Sequence, residues 1–287
     1  MPWVDCHIQV CHPRAPWDAE TPSHVLVHRT LSYINGTDPS LGSRQQGRKN
    51  LYDAAKNRLD FDAASEIVCN CVRDPVYGAM VQSVLSTRPI DLRVIMPHPA
   101  FEERGHPVLG PTNALPFVFA EFIAEKLGCE ADYQIEQIAR VGRTNLNRFE
   151  RFLWQPSFRG DVVRGCRYIV VDDVVSVGAT FAALRGYIVR NGGTVCAVTA
   201  LGHKHGTDQK FPISPATIKG IEALYGACVY RYWKEAVGHD VEALTEPEGL
   251  FLQEWGHERE REGVERGPPL LHRLRTRLDQ AASNSSE

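Results

Sequence analysis

The sequence predicts an α/β fold in which helices cover both faces of a parallel sheet. Residues 168–171 form an apolar run without a polar break, which is typical of a strand buried on both faces. Phe181, Leu184 and Ile188 then recur at helical spacing, and an Asn-Gly-Gly stop precedes a second apolar run at 194–201. A strand–loop–helix–strand unit joins parallel neighbours, so its loop lies at the sheet edge where open α/β sheets bind ligands.

Residues 1–60 are interpreted as an N-terminal extension. Residues 24–33 fit either a strand or a short helix, and the turn-rich, basic stretch 40–50 reads as a polar connecting loop. Residues 51–59 carry a helical pattern that begins the cover of one sheet face.

Residues 61–235 are predicted to form the α/β domain, and residues 236–287 a C-terminal helical extension with a disordered tail. The other predicted elements are helices over 62–72, 76–85, 113–127 and 215–225, and strands over 91–96, 132–139 and 227–232. Leu270, Leu271, Leu274 and Leu278 form an apolar stripe typical of core packing or of a homodimer interface.

The turn after residue 171 has the composition of a phosphate site. Gly178 lets the backbone approach an anion, and the free N–H groups of a helix beginning near Ala179 attract negative charge. Ser176 and Thr180 add hydroxyl donors. Two neighbouring carboxylates, at 172 and 173, suit ligand hydroxyl groups rather than the phosphate itself. These two demands together indicate a sugar phosphate.

The segment Val170-Val-Asp-Asp-Val-Val-Ser-Val-Gly-Ala-Thr180 resembles the 5-phosphoribosyl-1-pyrophosphate (PRPP) signature of type I phosphoribosyltransferases. The resemblance implies a Rossmann-like parallel sheet, with Asp172 and Asp173 binding the ribose hydroxyls. It also implies a loop that holds the 5′-phosphate, formed by Ser176, Val177, Gly178, Ala179 and Thr180. Val177 replaces the hydroxyl residue of many members. The absence of an acid at the Ser176 position argues against the 6-oxopurine enzymes. A purely structural strand that ends in acids is the alternative.

The resemblance further implies a pyrophosphate loop after the strand at 91–96. By position, His98, Arg104, Thr112 and Asn113 would bind pyrophosphate, with Mg²⁺ held mainly by PRPP oxygens; a plain surface loop is the alternative. Family members also close a mobile loop over PRPP, and its cationic role would fall to Arg140, Arg143 or Arg148. Residues 203–205, His-Lys-His, would either contact the acceptor or be solvated.

Composition bounds the partners. The chain has 287 residues and a net charge of −3, without a basic half, so it gives no support for nucleic acid or an anionic membrane. The Arg-aromatic run at 140–159 is the one feature that would favour nucleic-acid stacking. Without a bilayer-length apolar run or a signal-peptide pattern, we expect a cytoplasmic protein.

The eight cysteines do not read as a disulfide framework. Cys6, Cys11, Cys69 and Cys71, with the adjacent histidines, could supply zinc ligands, but their spacing matches no standard zinc pattern. Reduced thiols are the favoured interpretation.

From these features we predict Mg²⁺-dependent transfer of a phosphoribosyl group from PRPP to a small-molecule acceptor, with release of pyrophosphate. A regulator that senses PRPP or a nucleotide without catalysis is the alternative.

Overall fold

The computed structural model describes residues 14–85, 91–98, 102–103, 106–107, 112–138, 147–204 and 208–283. Its strands are β1 His24–Thr30, β2 Leu92–Ile95, β3 Glu102–Glu103, β4 His106–Pro107, β5 Glu130–Asp132, β6 Glu136–Gln137, β7 Phe158–Arg159, β8 Arg167–Val175, β9 Thr194–His203 and β10 Asp208–Lys210. Its helices are α1 Leu31–Ile34, α2 Gln45–Asn57, α3 Phe61–Cys71, α4 Asp74–Leu85, α5 Leu115–Leu127, α6 Arg148–Leu153, α7 Ala179–Arg190, α8 Pro215–Tyr225, α9 Cys228–Val237, α10 Glu246–Arg261 and α11 Pro268–Ser283.

Six strands form the central sheet in the order β10-β1-β9-β8-β2-β5. All neighbouring pairs are parallel except β10 with β1. Helices α3, α4 and α5 pack on one face through a core that includes Ile169 and Val171. Helix α7 packs on the other face against Tyr168 and Val170. The predicted α/β class, with helices on both faces, is therefore confirmed.

A third core joins α6 and the helices that follow the sheet. Trp233, Leu252 and the leucine stripe of α11 are all buried in it. The stripe at 270, 271, 274 and 278 thus packs inside the chain, as one of the two interpretations of its sequence expected.

The strand order creates a crevice between β8 and β2. After β2 the chain crosses through α5 to one side, and after β8 it crosses through α7 to the other. The pairing of β8 with β2 ends at Val170, whereas its pairing with β9 continues to Val175. The last five residues of β8 therefore border the space above β2, at the topological switch point where such sheets bind ligands.

Several predicted elements differ from those observed. Asp172 and Asp173 lie within β8 rather than in a loop after it, because β9 continues to supply hydrogen-bond partners. Residues 227–232 begin helix α9 instead of a strand; Val229, Trp233 and Val237 recur every four residues and are all buried.

The strand predicted over 132–139 is interrupted. β5 ends at Asp132, whose carboxylate accepts a hydrogen bond from the N–H of Gln134 at 2.8 Å, and β6 begins only at Glu136. This local side-chain turn competes with the sheet ladder, and the residue pattern alone does not reveal it.

Residues 24–57 contain more regular secondary structure than the sequence analysis assigned to them. Residues 24–33, left undecided, contain both β1 and the start of α1, and α2 begins within the stretch read as a polar loop. Strand β1 pairs with β9 inside the sheet, and α2 reaches the acid pair, although both lie before the boundary predicted at residue 60.

Helix α11 reaches Ser283, and Ala281 is fully buried, so the predicted tail at 281–287 is helical over its first three residues. Residues 284–287 lie outside the described part. Within the described ranges, no helix is both long and apolar enough to cross a membrane.

Candidate functional site

The acid pair projects to opposite faces of β8, because alternate residues of a strand point to opposite sides. Asp173 lies on the face of Val171 and is buried, whereas Asp172 is half-buried. The backbone holds both carboxylates: the N–H of Asp173 donates to Oδ1 of Asp172 at 2.8 Å, and the N–H of Val174 donates to Oδ1 of Asp173 at 2.9 Å.

Asp173 is already paired. Nζ of Lys56, at the end of α2, forms an ion pair with its Oδ2, and Nδ2 of Asn113 donates to the same oxygen at 3.0 Å. Lys56 is a site residue that the sequence analysis missed. It stands 117 residues before its partner in the chain, and nothing in its local pattern distinguishes it from a surface lysine.

The pKa values of the two carboxyl groups are shifted in opposite directions. Burial raises the pKa of Asp172 well above its usual range, and the negative charge of Asp173 adds to this effect. Burial would also raise the pKa of Asp173, but the Lys56 ammonium and the hydrogen bonds from Lys56 and Asn113 outweigh it and lower that pKa. Asp172 is therefore the acid that accepts a proton first.

A cleft of about 430 Å³ opens beside Asp172. Its wall combines the end of β8, the turn into α7 and single residues of α1, α6 and the segment after β9. The lining residues are Leu31, Arg151, Asp172, Val174, Val175, Ser176, Gly178, Ala179, Thr180, Phe181 and Lys204. A carboxylate, two cationic side chains and a helix N-terminus thus face one space.

The turn at 176–180, the phosphate loop below, enters α7 at its N-terminus as expected. Gly178 has a φ of +77°, a conformation that L side chains rarely adopt, and no side chain caps the N–H groups of α7. Ser176, Gly178, Ala179 and Thr180 line the cleft, whereas Val177 lines a neighbouring pocket. The N-terminus of α7, which carries partial positive charge, therefore faces the cleft and can attract an anion there.

The neighbouring pocket, called the aromatic pocket below, has a volume of about 80 Å³. Phe152 and Phe251 line this pocket, and their rings stack on each other with centroids 6.0 Å apart. The guanidinium of Arg148 lies 4.8 Å from the Phe251 centroid. Arg151 and Lys204 line both the aromatic pocket and the cleft. Arg151 and Phe251 were not among the predicted site residues.

The described residues that were predicted to bind pyrophosphate have three different environments. His98 is buried and packs against Phe117 and Tyr133, with ring centroids 5.5 and 6.3 Å apart. Thr112 is exposed, and its carbonyl accepts a hydrogen bond from the N–H of Leu59. Asn113 contacts Asp173, as described above.

Four of the predicted site residues lie outside the described residues: Arg104, Arg140, Arg143 and His205. Arg148, the third arginine of the predicted mobile loop, lies in α6 beside the aromatic pocket. In the predicted acceptor segment at 203–205, His203 ends β9 and is buried, with Nε2 donating to the carbonyl of Ser176 at 3.0 Å, and Lys204 lines the cleft.

Of the four cysteines considered as zinc ligands, the structure describes only the two in α3. Cys6 and Cys11 lie outside the described part, Cys69 is exposed and Cys71 is buried. Residues two apart on a helix point away from each other, so these two thiols do not converge on one ion. Among the described residues, no group of three His, Cys, Asp or Glu side chains is placed to hold a metal.

Comparison with known proteins gives relatives at several distances. The chain is 32% identical over 203 residues to Protein TraN of Escherichia coli, a match that covers 70% of this chain and 42% of that protein. The chain thus spans less than half the length of this curated relative. No family model matches the sequence.

Among solved structures, adenine phosphoribosyltransferase from Saccharomyces cerevisiae is similar over 50% of this chain and 70% of its own, at 14% identity and a TM-score of 0.29. Orotate phosphoribosyltransferase from Aeropyrum pernix is similar over 48% and 76%, at 15% identity and a TM-score of 0.23. At such TM-scores the assignment of the fold rests on the sheet itself.

Proposed function

We propose that this protein transfers a 5-phosphoribosyl group from PRPP to an acceptor and releases pyrophosphate. One observation carries the proposal: Asp172 and the phosphate loop at the N-terminus of α7 face the same cleft. A ligand that occupies it meets a carboxylate suited to hydroxyl groups and free N–H groups suited to a phosphate.

In the proposed reaction, the bond between C1 of the ribose and the pyrophosphate oxygen breaks, and its electron pair leaves with pyrophosphate. A lone pair of the acceptor forms the new bond to C1, and the acceptor's proton passes to solvent. Asp172 is the main ribose partner, because both oxygens of Asp173 already accept hydrogen bonds. Negative charge near C1 favours the cationic transition state.

Mg²⁺ would be held chiefly by PRPP oxygens and water, with Asp172 as the carboxylate that lines the cleft among the described residues. This fits an ion that keeps several waters and uses one or two carboxylates with substrate phosphates. When bound, the ion would neutralise charge on the departing pyrophosphate.

The acceptor is proposed to bind in the aromatic pocket beside the cleft. Phe152 and Phe251 give the pocket apolar lining, and Arg151 and Lys204 line both this pocket and the cleft. The small volume of the pocket favours a small acceptor such as a nucleobase.

The test is an assay of pyrophosphate release with PRPP, Mg²⁺ and a panel of nucleobases. We expect release with at least one acceptor, and its loss in the double variant Asp172→Asn, Asp173→Asn, because the ribose hydroxyls lose their charged acceptors and the reaction loses negative charge near C1. Asp53→Asn, which changes an exposed acid of α2, is the matched control and should keep the activity. A double variant that turns over like the wild type contradicts the site assignment.

A non-catalytic sensor of PRPP or a nucleotide is the second candidate. The ion pair between Lys56 and Asp173 favours it, because one of the two ribose-binding carboxylates is occupied in the free protein. Binding of PRPP without pyrophosphate release, with every acceptor tried, would select this function over transfer.

A further inference from the structure

Two consecutive carbonyl groups of the phosphate loop are held from outside the cleft. The hydroxyl of Thr245 donates to the carbonyl of Val177 at 2.6 Å. Nε2 of His203 lies 3.0 Å from the carbonyl of Ser176, and it donates there because a carbonyl oxygen can only accept. Thr245 and His203 are 0% and 9% exposed, and neither lines the cleft.

These two bonds fix the direction of the neighbouring N–H groups. In a trans peptide the carbonyl and the N–H of the next residue point in opposite directions. The carbonyl of Ser176 shares a peptide with the N–H of Val177, and the carbonyl of Val177 shares one with the N–H of Gly178. Gly178 lines the cleft, so holding the Val177 carbonyl from outside the cleft turns the Gly178 N–H toward it, and the bond to the Ser176 carbonyl fixes the preceding peptide.

Further hydrogen bonds and a buried ion pair hold Thr245 in place. Its hydroxyl accepts a hydrogen bond from the N–H of Glu248, as the N-cap of α10, and its own N–H donates to the Glu248 carboxylate at 2.9 Å. Arg14 holds that carboxylate through a buried ion pair. The Thr245 hydroxyl oxygen lies 2.6 Å from the Val177 carbonyl oxygen and 3.2 Å from the Glu248 carboxylate, and the shorter distance assigns its single proton to the loop.

We propose that Thr245 and His203 are positioning residues that hold the two peptides following Ser176 and Val177 and so aim the Gly178 N–H at a phosphate in the cleft. This rests on the proposed function, since it requires that the cleft binds a phosphate ester. The backbone donors matter here because Val177 contributes no hydroxyl to the loop. Glycine at 178 leaves the orientation of its peptide largely unrestricted. A hydrogen bond from outside the loop therefore determines that orientation more than it would beside a stiffer residue.

The experiment compares Thr245→Val with Thr245→Ser in the full-length chain. The probe is ribose 5-phosphate, titrated by calorimetry, together with the amide signal of Gly178 in ¹⁵N-glycine-labelled protein. We expect Thr245→Val to bind about tenfold more weakly, the scale of one hydrogen bond to a charged group. Thr245→Ser keeps the hydroxyl and should bind within about twofold of the wild type. The Gly178 amide shift on binding should shrink only in Thr245→Val.

Ser214→Ala is the matched control for the loss of a helix cap. Ser214 caps α8 and also donates to Glu246 at the start of α10, yet it has no bond to the loop. It should lower the thermal midpoint about as much as Thr245→Val while leaving affinity unchanged. If Thr245→Val does not fold, His203→Phe gives the same test through the Ser176 carbonyl.

Equal affinity in Thr245→Val and the wild type would overturn the positioning role, as would equal weakening in Ser214→Ala. Wild-type protein that binds ribose 5-phosphate but neither binds PRPP nor releases pyrophosphate would refute the proposed function and leave the positioning role standing. Wild-type protein that binds no phosphate ester would overturn both.

Discussion

Asp172 and Asp173 are adjacent in the chain but have separate environments. Asp173 has a cation and an amide donor within reach, whereas Asp172 faces the cleft with a raised pKa. In the free protein Asp172 therefore has the N–H of Asp173 as a donor and, among the described residues, no cation of its own, and its charged form is disfavoured. This is the pattern expected where function opposes stability.

Replacing Asp172 alone should stabilise the free protein. The pKa of Asp172 is higher in the folded than in the unfolded state. Its contribution to the stability of the fold is therefore fully present at pH values below its ordinary pKa, about 3.9, and is lost as the pH rises through the folded-state pKa. We expect Asp172→Asn to gain about 1 kcal/mol at pH 8. The gain should shrink as pH falls toward 4. Thermal midpoints at both pH values measure it.

Asp173→Asn is the control and should have the opposite sign. Its pKa is lowered in the folded state, so its contribution is present above the ordinary value and is lost as pH falls. Its removal also leaves Lys56 without its partner. If Asp172→Asn lost as much stability at pH 8 as Asp173→Asn, the difference between the two environments would be refuted.

At the scale of elements, the segment from Arg14 to Asp18 ties α7 to α10. Arg14 forms a buried ion pair with Glu248, and Arg185 of α7 donates to the carbonyl of Pro16 and pairs with Asp18. A Cβ at Gly186 would lie 2.8 Å from the backbone N of Ala15, so glycine permits this close approach.

Arg14→Met should destabilise the protein by roughly 3–5 kcal/mol, because it leaves the Glu248 carboxylate buried without its cation. Urea unfolding measures the loss. Arg266→Met removes an exposed ion pair with Glu260 and is the matched control; because solvent screens that pair, its loss should be much smaller. Equal losses in the two variants would show that the segment does not hold α10 in place.

The elements predicted best are those whose signals are contiguous. β8, the loop at Gly178, α7 and β9 follow one another in the chain, and each has its own periodicity or turn residue, so the sequence predicted their order and the location of the phosphate loop. α9 was predicted wrongly, because a short apolar run such as 227–232 fits either period.

The contacts that complete the site could not be predicted in the same way. Lys56 and Asp173 are 117 residues apart, and Thr245 and Val177 are 68 apart. Each partner is ordinary in its own segment, and only packing brings the pairs together. The aromatic pocket was missed for the same reason, since Phe152 and Phe251 come from different helices.

At the scale of the whole molecule, the cleft lies where the sheet meets the C-terminal helices. The sheet contributes Asp172 and the phosphate loop, α6 contributes Arg151, and the N-cap of α10 anchors the loop from behind. The helices after the sheet therefore take part in forming the site.

The most direct test of the central claim is the thermal midpoint of the protein with and without PRPP and Mg²⁺. Ligand at 100 times its dissociation constant adds about 2.7 kcal/mol, which in a chain of this size raises the midpoint by roughly 4–5 °C. We expect such a rise in the wild type and in Asp53→Asn, and its absence in the Asp172→Asn, Asp173→Asn double variant. No rise in the wild type at millimolar PRPP would contradict the account.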